Sequence, residues 1–510
     1  MAMRIHKAGE EHPRAEVAER TVGCAGIAVS SHPHHATVFN CDAAVAQRWA
    51  VNRKHPGGAQ GQSRHRPTIL EALARPPRTR AFTLAVLATT ALVAGCGRVG
   101  SEAEPSRSVI LIVLDAASVR HFGAYGYGEG ATPEIDRLAA TSDVFLNAYS
   151  PAPYTRAAMV SLWTSREPGA KGALEAPRLA ERLSAHGIHT AGFVGNPNAG
   201  PAYSFDRGFA EFHEAYADGA QAELFRPLLR QFLSESGSRR FFAYVHYREP
   251  HFPYEPPAPF AERFPLEKLP RRAATDKHFL DSVCGRTGGP TSQDRRDLAR
   301  LYDANLAYVD AEVGWLWRQV VETGLAETTA IAITSDHGEA LCEHGFVGHN
   351  LQVYDESVHV PLIVRRPGGS RSRRHEALVS LLDVAPTIMG LLGLDDETGF
   401  EGRDILAERR GNARTTVVFS RSAGELPAFA LRDDDYAFIY HPFLDRAELF
   451  DRRRDPHELH DIAEAHPELV QRYRSEVTAR ADRLSVLVVP PASKPTPELL
   501  EQLEALGYVE

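Results

Sequence analysis

The chain has 510 residues, 43% hydrophobic and 24% charged, with 39 Gly and 34 Pro; this globular composition excludes collagen-like, coiled-coil and wholly disordered chains. The formal charge of −9 is uneven: residues 1–95 carry 12 Lys+Arg against 6 Asp+Glu, leaving 45 against 60, a net −15, for the remainder. A body of that charge repels phosphate backbones, which argues against nucleic acid as a partner.

Residues 1–74 mix His, Arg, Gly and Ala with little periodicity and are expected to lie outside the working fold, as a disordered or non-native leader. Arg75, Arg78 and Arg80 then precede AFTLAVLATTALVAG at 81–95. A basic stretch followed by an apolar run too short to span a bilayer is the pattern of a secretory signal. The run ends in Val93-Ala94-Gly95-Cys96, which resembles a bacterial lipobox. Residues 75–96 are therefore predicted to be a lipoprotein signal with Cys96 as the lipidated first residue of an exported, membrane-anchored protein, periplasmic or on the cell surface. The polar residues 97–107 would serve as its tether. A buried amphipathic helix with an inert cysteine fits less well, because small residues precede Cys96 and polar ones follow it. Cys24, Cys41, Cys284 and Cys342 are too few and scattered for a disulfide scaffold, and no CxxC spacing suggests zinc. Cys342 reads as a packing residue, and Cys284, in a loop expected to be flexible, is given no role.

From Ser108 the pattern becomes VILIVLD, a β-branched run ending in a carboxylate, as expected of a parallel strand buried on both faces. Similar runs follow at 189–196, 240–247, 329–336 and 360–367, separated by stretches with apolar residues at helical spacing, the longest at 295–324. The alternation predicts an α/β fold: a doubly wound, mostly parallel sheet over 108–401. After residue 402 short runs separated by charged turns, then HPELVQRYRSEVTARADRL, predict a small antiparallel sheet with one packing helix over 402–510. Ligands of doubly wound sheets bind beyond the carboxyl ends of the strands, where Asp115, Asn196, His246 and Asp336 fall.

The segment TSDHGEALCEHGFVGHN is the most informative one. Its strand delivers Asp336 and His337 together, and His344 and His349 follow in a loop. Adjacent carboxylate and imidazole suit one divalent cation, calcium, manganese, magnesium or zinc, with Asp115 as a further donor. An Asp at a strand end is alone more often a helix cap, and a loop His more often solvated; the surrounding segments decide against that reading.

With VILIVLDAASVRHFGAYGYGEGATPEIDRLA, SPAPYTRAAMVSLWTS, FFAYVHYREPHFPYEPP, TSDHGEALCEHGFVGHN, YDESVHVPLIVRRPG, SLLDVAPTIMGLLG and LEQLEALGYV in order, the chain resembles the sulfatase family of the alkaline phosphatase superfamily from about Ser108 onward. The resemblance implies Asp115, Asp336 and His337 as metal ligands and Thr155 at the nucleophile position. It further implies that His251 and His349 bind ester oxygens or protonate the leaving group, and that Asn196, Arg156 and His246 contact substrate. The chain departs from the family in four places. Sulfatases proper carry a Cys or Ser, converted to formylglycine, where Thr155 stands; a secondary alcohol cannot give that aldehyde. The arginine usual four residues later is Met159, the second carboxylate of the first metal segment is Ala116, and the usual lysine and histidine fall on Asn196 and Asn198. A Thr nucleophile is instead similar to phosphodiesterase and phosphoglycol-transferase branches, where the hydroxyl attacks phosphorus unmodified. The expectation is a metal-dependent hydrolase of sulfate or phosphate esters on a small molecule or glycan. The alternatives are a transferase of phospho-alcohol groups to surface glycans and a non-catalytic glycan-binding pseudoenzyme.

Overall fold

A computed structural model describes residues 106–216, 222–369, 371–394, 398–407, 418–424, 427–485 and 489–491, with single positions 497 and 500. Cys96 and the predicted leader and signal segments lie outside the described residues. Among the described residues no helix is long and apolar enough to cross a membrane.

Ten strands of the larger unit run β1 Ser108–Asp115, β2 Asp143–Tyr149, β3 His189–Val194, β4 Glu211–Glu214, β5 Phe241–Pro250, β6 Thr329–Ser335, β7 Ala340–Leu341, β8 Val347–Gly348, β9 Leu362–Arg365 and β10 Arg373–Ser380. All but the short β7–β8 hairpin form one eight-stranded sheet of order β10-β2-β9-β6-β1-β5-β3-β4. Only β9 runs against its neighbours β2 and β6; the other ladders are parallel. The sheet is thus mostly parallel, as the α/β alternation predicts, with one reversed strand that an apolar run of four residues does not announce.

The central strand explains the fold. All eight residues of β1 are buried. Ile110, Ile112 and Leu114 face one core, while Val109, Leu111 and Val113 face the other. A strand apolar on both faces is stable only between two layers of helices. On the first face lie α1 Pro133–Ala139, α4 Arg226–Ser236 and the 31-residue α6 Ser292–Glu322; on the second lie α2 Thr155–Thr164, α3 Leu179–Ala185 and α7 Val384–Leu391. Thr291 and Asp294 form a capping box at the start of α6. The chain enters this body at the amino edge of the parallel strands, where Ser106 N–H donates to Leu391 O (2.7 Å) and Arg107 N–H to Thr328 O (2.9 Å).

The smaller unit is an antiparallel sheet in chain order, β11 Val418–Arg421, β12 Phe429–Arg432, β13 Tyr436–His441 and β14 Arg446–Asp451, followed by α8 Pro467–Ala481. Tyr473 and Val477 of α8 bury one face of that sheet with Leu431, Phe438 and Leu449. Ala430, Ile439 and Phe450 on its other face cover Val353 and Tyr354 of the larger unit.

One sequence expectation is corrected. Cys284 ends helix α5 Lys277–Cys284 and is bonded to Cys342, 58 residues away, with Cα atoms 5.3 Å apart. The two thiols that read as a packing residue and a loop residue without a role are a cross-link between α5 and the loop following His337. No local spacing signals this pairing, because the partners come together only when α5 folds over that loop.

Candidate active site

The tips of neighbouring parallel strands converge. Asp115 ends β1, Asp336 and His337 follow β6, His246 lies in β5 and Asn196 just beyond β3. One ligand-type atom from each of Asp115, Asp336 and His337 lies within 4.8 Å of the others, and all three residues are buried. His337 Nε2 is 3.6 Å from Asp115 Oδ1 and 3.5 Å from Asp336 Oδ2. These two carboxylate oxygens have no hydrogen-bond partner and no solvent exposure. Two carboxylates and an imidazole, sealed together with unsatisfied oxygens turned inward, make a donor set that suits a divalent cation.

The local backbone sets this geometry. Ala116 adopts a left-handed conformation (φ 58°) and its N–H donates to Asp336 Oδ1 (3.2 Å), which His337 N–H also reaches (2.9 Å). Oδ2 is thereby left without a hydrogen bond, 3.5 Å from His337 Nε2. His337 Nδ1 meets Gly338 O at 2.9 Å, a contact that turns Nε2 toward the carboxylates. Burial alone would raise the Asp115 carboxyl, yet the imidazoles of His251, His246 and His337 hold it below the usual range. Burial and the Asp115 charge raise its partner Asp336. Burial opposes the His337 imidazolium, but Asp336 and Asp115 outweigh it and raise the group.

Thr155 is the first residue of α2, and its Oγ1 lies 3.3 Å from His337 Nε2. The helix begins at Tyr154 in extended backbone with no side-chain cap, so the positive end of α2 sits beside the hydroxyl. The preceding loop is braced from the smaller unit: Ser420 Oγ donates to Ser150 O (2.6 Å) and Arg421 N–H to Pro151 O (2.9 Å). His349 and His251 join the cluster, His349 with its ring centroid 4.3 Å from His337 and 4.9 Å from His251. Burial lowers His251 to about 4 and, with the neighbouring His337, lowers His349 as well.

Three residues expected to touch substrate have inward or sideways partners. Asn196 donates its amide to Asp115 Oδ2 and accepts from Asn198 N–H (2.8 Å). His246 is fully buried, with Nδ1 2.6 Å from Tyr244 Oη and Nε2 3.5 Å from Asp115 Oδ2. Arg156 lies 5.0 Å over the Tyr203 ring, at the margin of the cluster. His344 is held elsewhere, between Glu356 Oε1 (2.6 Å) and Glu458 O (2.8 Å).

The sulfatase family model matches residues 107–394, and the model for the C-terminal part of N-sulphoglucosamine sulphohydrolase matches residues 342–482. The chain belongs to the sulfatase family. The uncharacterized sulfatase YidJ of Escherichia coli strain K12 is 30% identical over 236 residues, 44% of this chain and 46% of that protein. This match spans about half the length of that relative. A solved 2-O GAG sulfatase superposes with a TM-score of 0.61 at 19% identity, covering 78% of this chain and 99% of the other. The phosphonate monoester hydrolase of Agrobacterium radiobacter gives 0.59 at 19% identity, covering 77% and 98%. These superpositions carry the α/β sheet.

In this sulfatase-family chain two buried residues go beyond the sequence reading. Glu339 Oε2 lies 3.0 Å from His349 Nδ1, and burial pushes the Glu339 carboxyl up to about 7. Asn305 of α6 donates to Pro253 O (3.0 Å) and His251 O (3.3 Å), pinning the loop that carries His251. Glu339 lies two residues past His337, so an acid at that spacing beyond a ligand pair was a visible signal. Asn305 carries none, being one polar residue in a long helix.

Proposed function

We propose that this protein is a metal-dependent ester hydrolase with Thr155 as nucleophile, acting on sulfate or phosphate esters of a glycan or small molecule. The observation that carries the proposal is the 3.3 Å approach of Thr155 Oγ1 to His337 Nε2 at the edge of the Asp115, Asp336 and His337 cluster. A divalent cation held by those three residues supplies positive charge that lowers the pKa of a neighbouring hydroxyl and offsets charge on ester oxygens. Thr155 presents its hydroxyl at the uncapped end of α2, whose first-turn N–H groups favour an anionic group there. His251, neutral at physiological pH, offers a hydrogen bond to an ester oxygen. Glu339 and His349 form a buried pair that holds a proton near neutral pH and presents it toward the leaving oxygen.

The glycan part of the reading draws on the GAG sulfatase neighbour, and the phosphorus part on Thr155 and the phosphonate hydrolase neighbour. Export and lipidation at Cys96 belong to the same proposal. The Cys284–Cys342 disulfide supports them, since such bonds persist in oxidising compartments.

The purified protein is to be assayed with p-nitrophenyl sulfate, phosphate and a phosphodiester, with and without manganese, calcium or zinc. Turnover is expected with at least one ester and to fall about 10³-fold or more in Thr155→Ala. Undiminished turnover in Thr155→Ala would remove the nucleophile assignment, and no turnover with any pair would favour the glycan-binding pseudoenzyme.

A further inference from the structure

A cleft of about 920 Å³ opens between the loop 119–127, the strand β2 and the turn 452–459 that follows β14. None of Asp115, Thr155, His251, His337 or His349 lines it. Its charged groups divide sharply. The carboxylates are spent internally: Asp355 on Arg120 (3.1 Å) and His359 (3.1 Å), Glu458 on Arg432 (2.8 Å), and Glu343 on the N–H of Leu341. The cations differ. Arg295 gives one N–H to Cys342 O (2.6 Å), Arg374 one to Ala124 O (2.8 Å), and Arg452 bonds Asn147 Oδ1 (3.0 Å), Tyr149 Oη (2.8 Å) and Asp433 O. Among the described residues Arg295 and Arg374 have no carboxylate partner, while Arg452 lies in the field of Asp355 and Glu458. A guanidinium carries five N–H donors, so Arg295 and Arg374, both exposed, keep most of theirs directed to solvent or a ligand.

In a body of net −15 outside its first 95 residues, the exposed Arg295 and Arg374, which have no carboxylate partner, share one concavity with the internally bonded Arg452 and form a local positive site. The remaining wall has apolar surface, with Leu459 55% exposed on the turn. The volume lies within the range of sites that enclose a ligand of a few rings. Planar donors in forks match sulfate and carboxylate oxygens, and flat apolar surface matches the faces of sugar rings.

We propose that this cleft is a second site that binds an anionic oligosaccharide, one bearing sulfate or carboxylate groups, through Arg295, Arg374 and Arg452. The preference for a sugar chain rests on the glycan-ester reading above; the positive cleft does not.

The probe is a heparin-derived octasaccharide, titrated calorimetrically into the purified protein at about 50 and 200 mM salt, with maltooctaose as the uncharged comparator. The parent is expected to bind the octasaccharide, more weakly at the higher salt, and not maltooctaose. The double variant Arg295→Ala/Arg374→Ala, which removes two exposed side chains, should bind it at least tenfold more weakly while turning over p-nitrophenyl esters as the parent does. A thermal melt matching the parent's checks that the variant is folded, and the single variant Arg374→Glu gives a second reading of the same loss. Equal binding by parent and double variant, or no binding by the parent, overturns the proposal. Binding of inorganic sulfate without the octasaccharide overturns it too. Thr155→Ala should retain full octasaccharide binding. If the parent binds but turns over no ester, the hydrolase reading fails and the cleft stands.

Discussion

His349 cannot act as an acid or base on an ester unless its ring is held, and Glu339 is the group that holds it, at 3.0 Å from Nδ1. Glu339→Ala is expected to lower kcat about 10²-fold on an alkyl ester, whose leaving group needs a proton. On a p-nitrophenyl ester, whose leaving group does not, little change is expected. Glu339→Gln, which keeps a hydrogen bond to the ring, should fall between. Paired steady-state assays on the two ester types check this, and an equal loss on both would reduce Glu339 to a packing role. The Asp115, Asp336 and His337 group was readable as carboxylates at strand ends beside an Asp-His pair, whereas Thr155 carried no local signal and entered only through the resemblance to the family's nucleophile segment. The partner of Asn196 was not legible. A neutral amide at a strand tip reads as facing substrate, and only its approach to Asp115 shows the side chain turned inward.

At the scale of elements, the buried strands and the long helix were readable from period and β-branching, since both depend on burial patterns within a few residues. The reversed β9 and the Cys284–Cys342 bond were not, because each depends on what lies beside a segment rather than within it. The disulfide closes a loop across 58 residues. The chain-entropy estimate makes such closure worth about 4 kcal/mol, and it also fastens the loop that carries Glu339 and His349. Cys284→Ser/Cys342→Ser is therefore expected to lose roughly that stability in urea denaturation, with reductant producing a similar shift in the parent. An unchanged midpoint in both would show that the bond adds nothing to folding.

Across the whole molecule, the smaller sheet does more than cover Val353 and Tyr354. Through Ser420 and Arg421 it fixes the loop leading to Thr155, and Ala423 N–H donates to Asn350 O (2.7 Å), one residue past His349. Its seat is fastened by Glu458, buried against Arg432 (2.8 Å) and accepting from Asp355 N–H (2.9 Å). Glu458→Ala leaves the buried Arg432 without its carboxylate and should cost about 3–5 kcal/mol. The variant is expected to be cut by protease earlier than the parent and to show a lower kcat; unaltered proteolysis and kcat would show that the two units hold together without this pair. Segment types in this unit were legible, but its role as a brace was not, because no local pattern records which backbone carbonyl a distant serine meets. The point of entry at Ser106, hydrogen-bonded among the amino ends of the strands, has a bearing on orientation. Were Cys96 acylated, as proposed, the anchor would stand ten positions before Ser106 in the chain. An anchor on that side would attach at the amino ends of the parallel strands, the opposite end of the sheet from Asp115, Asp336 and His337.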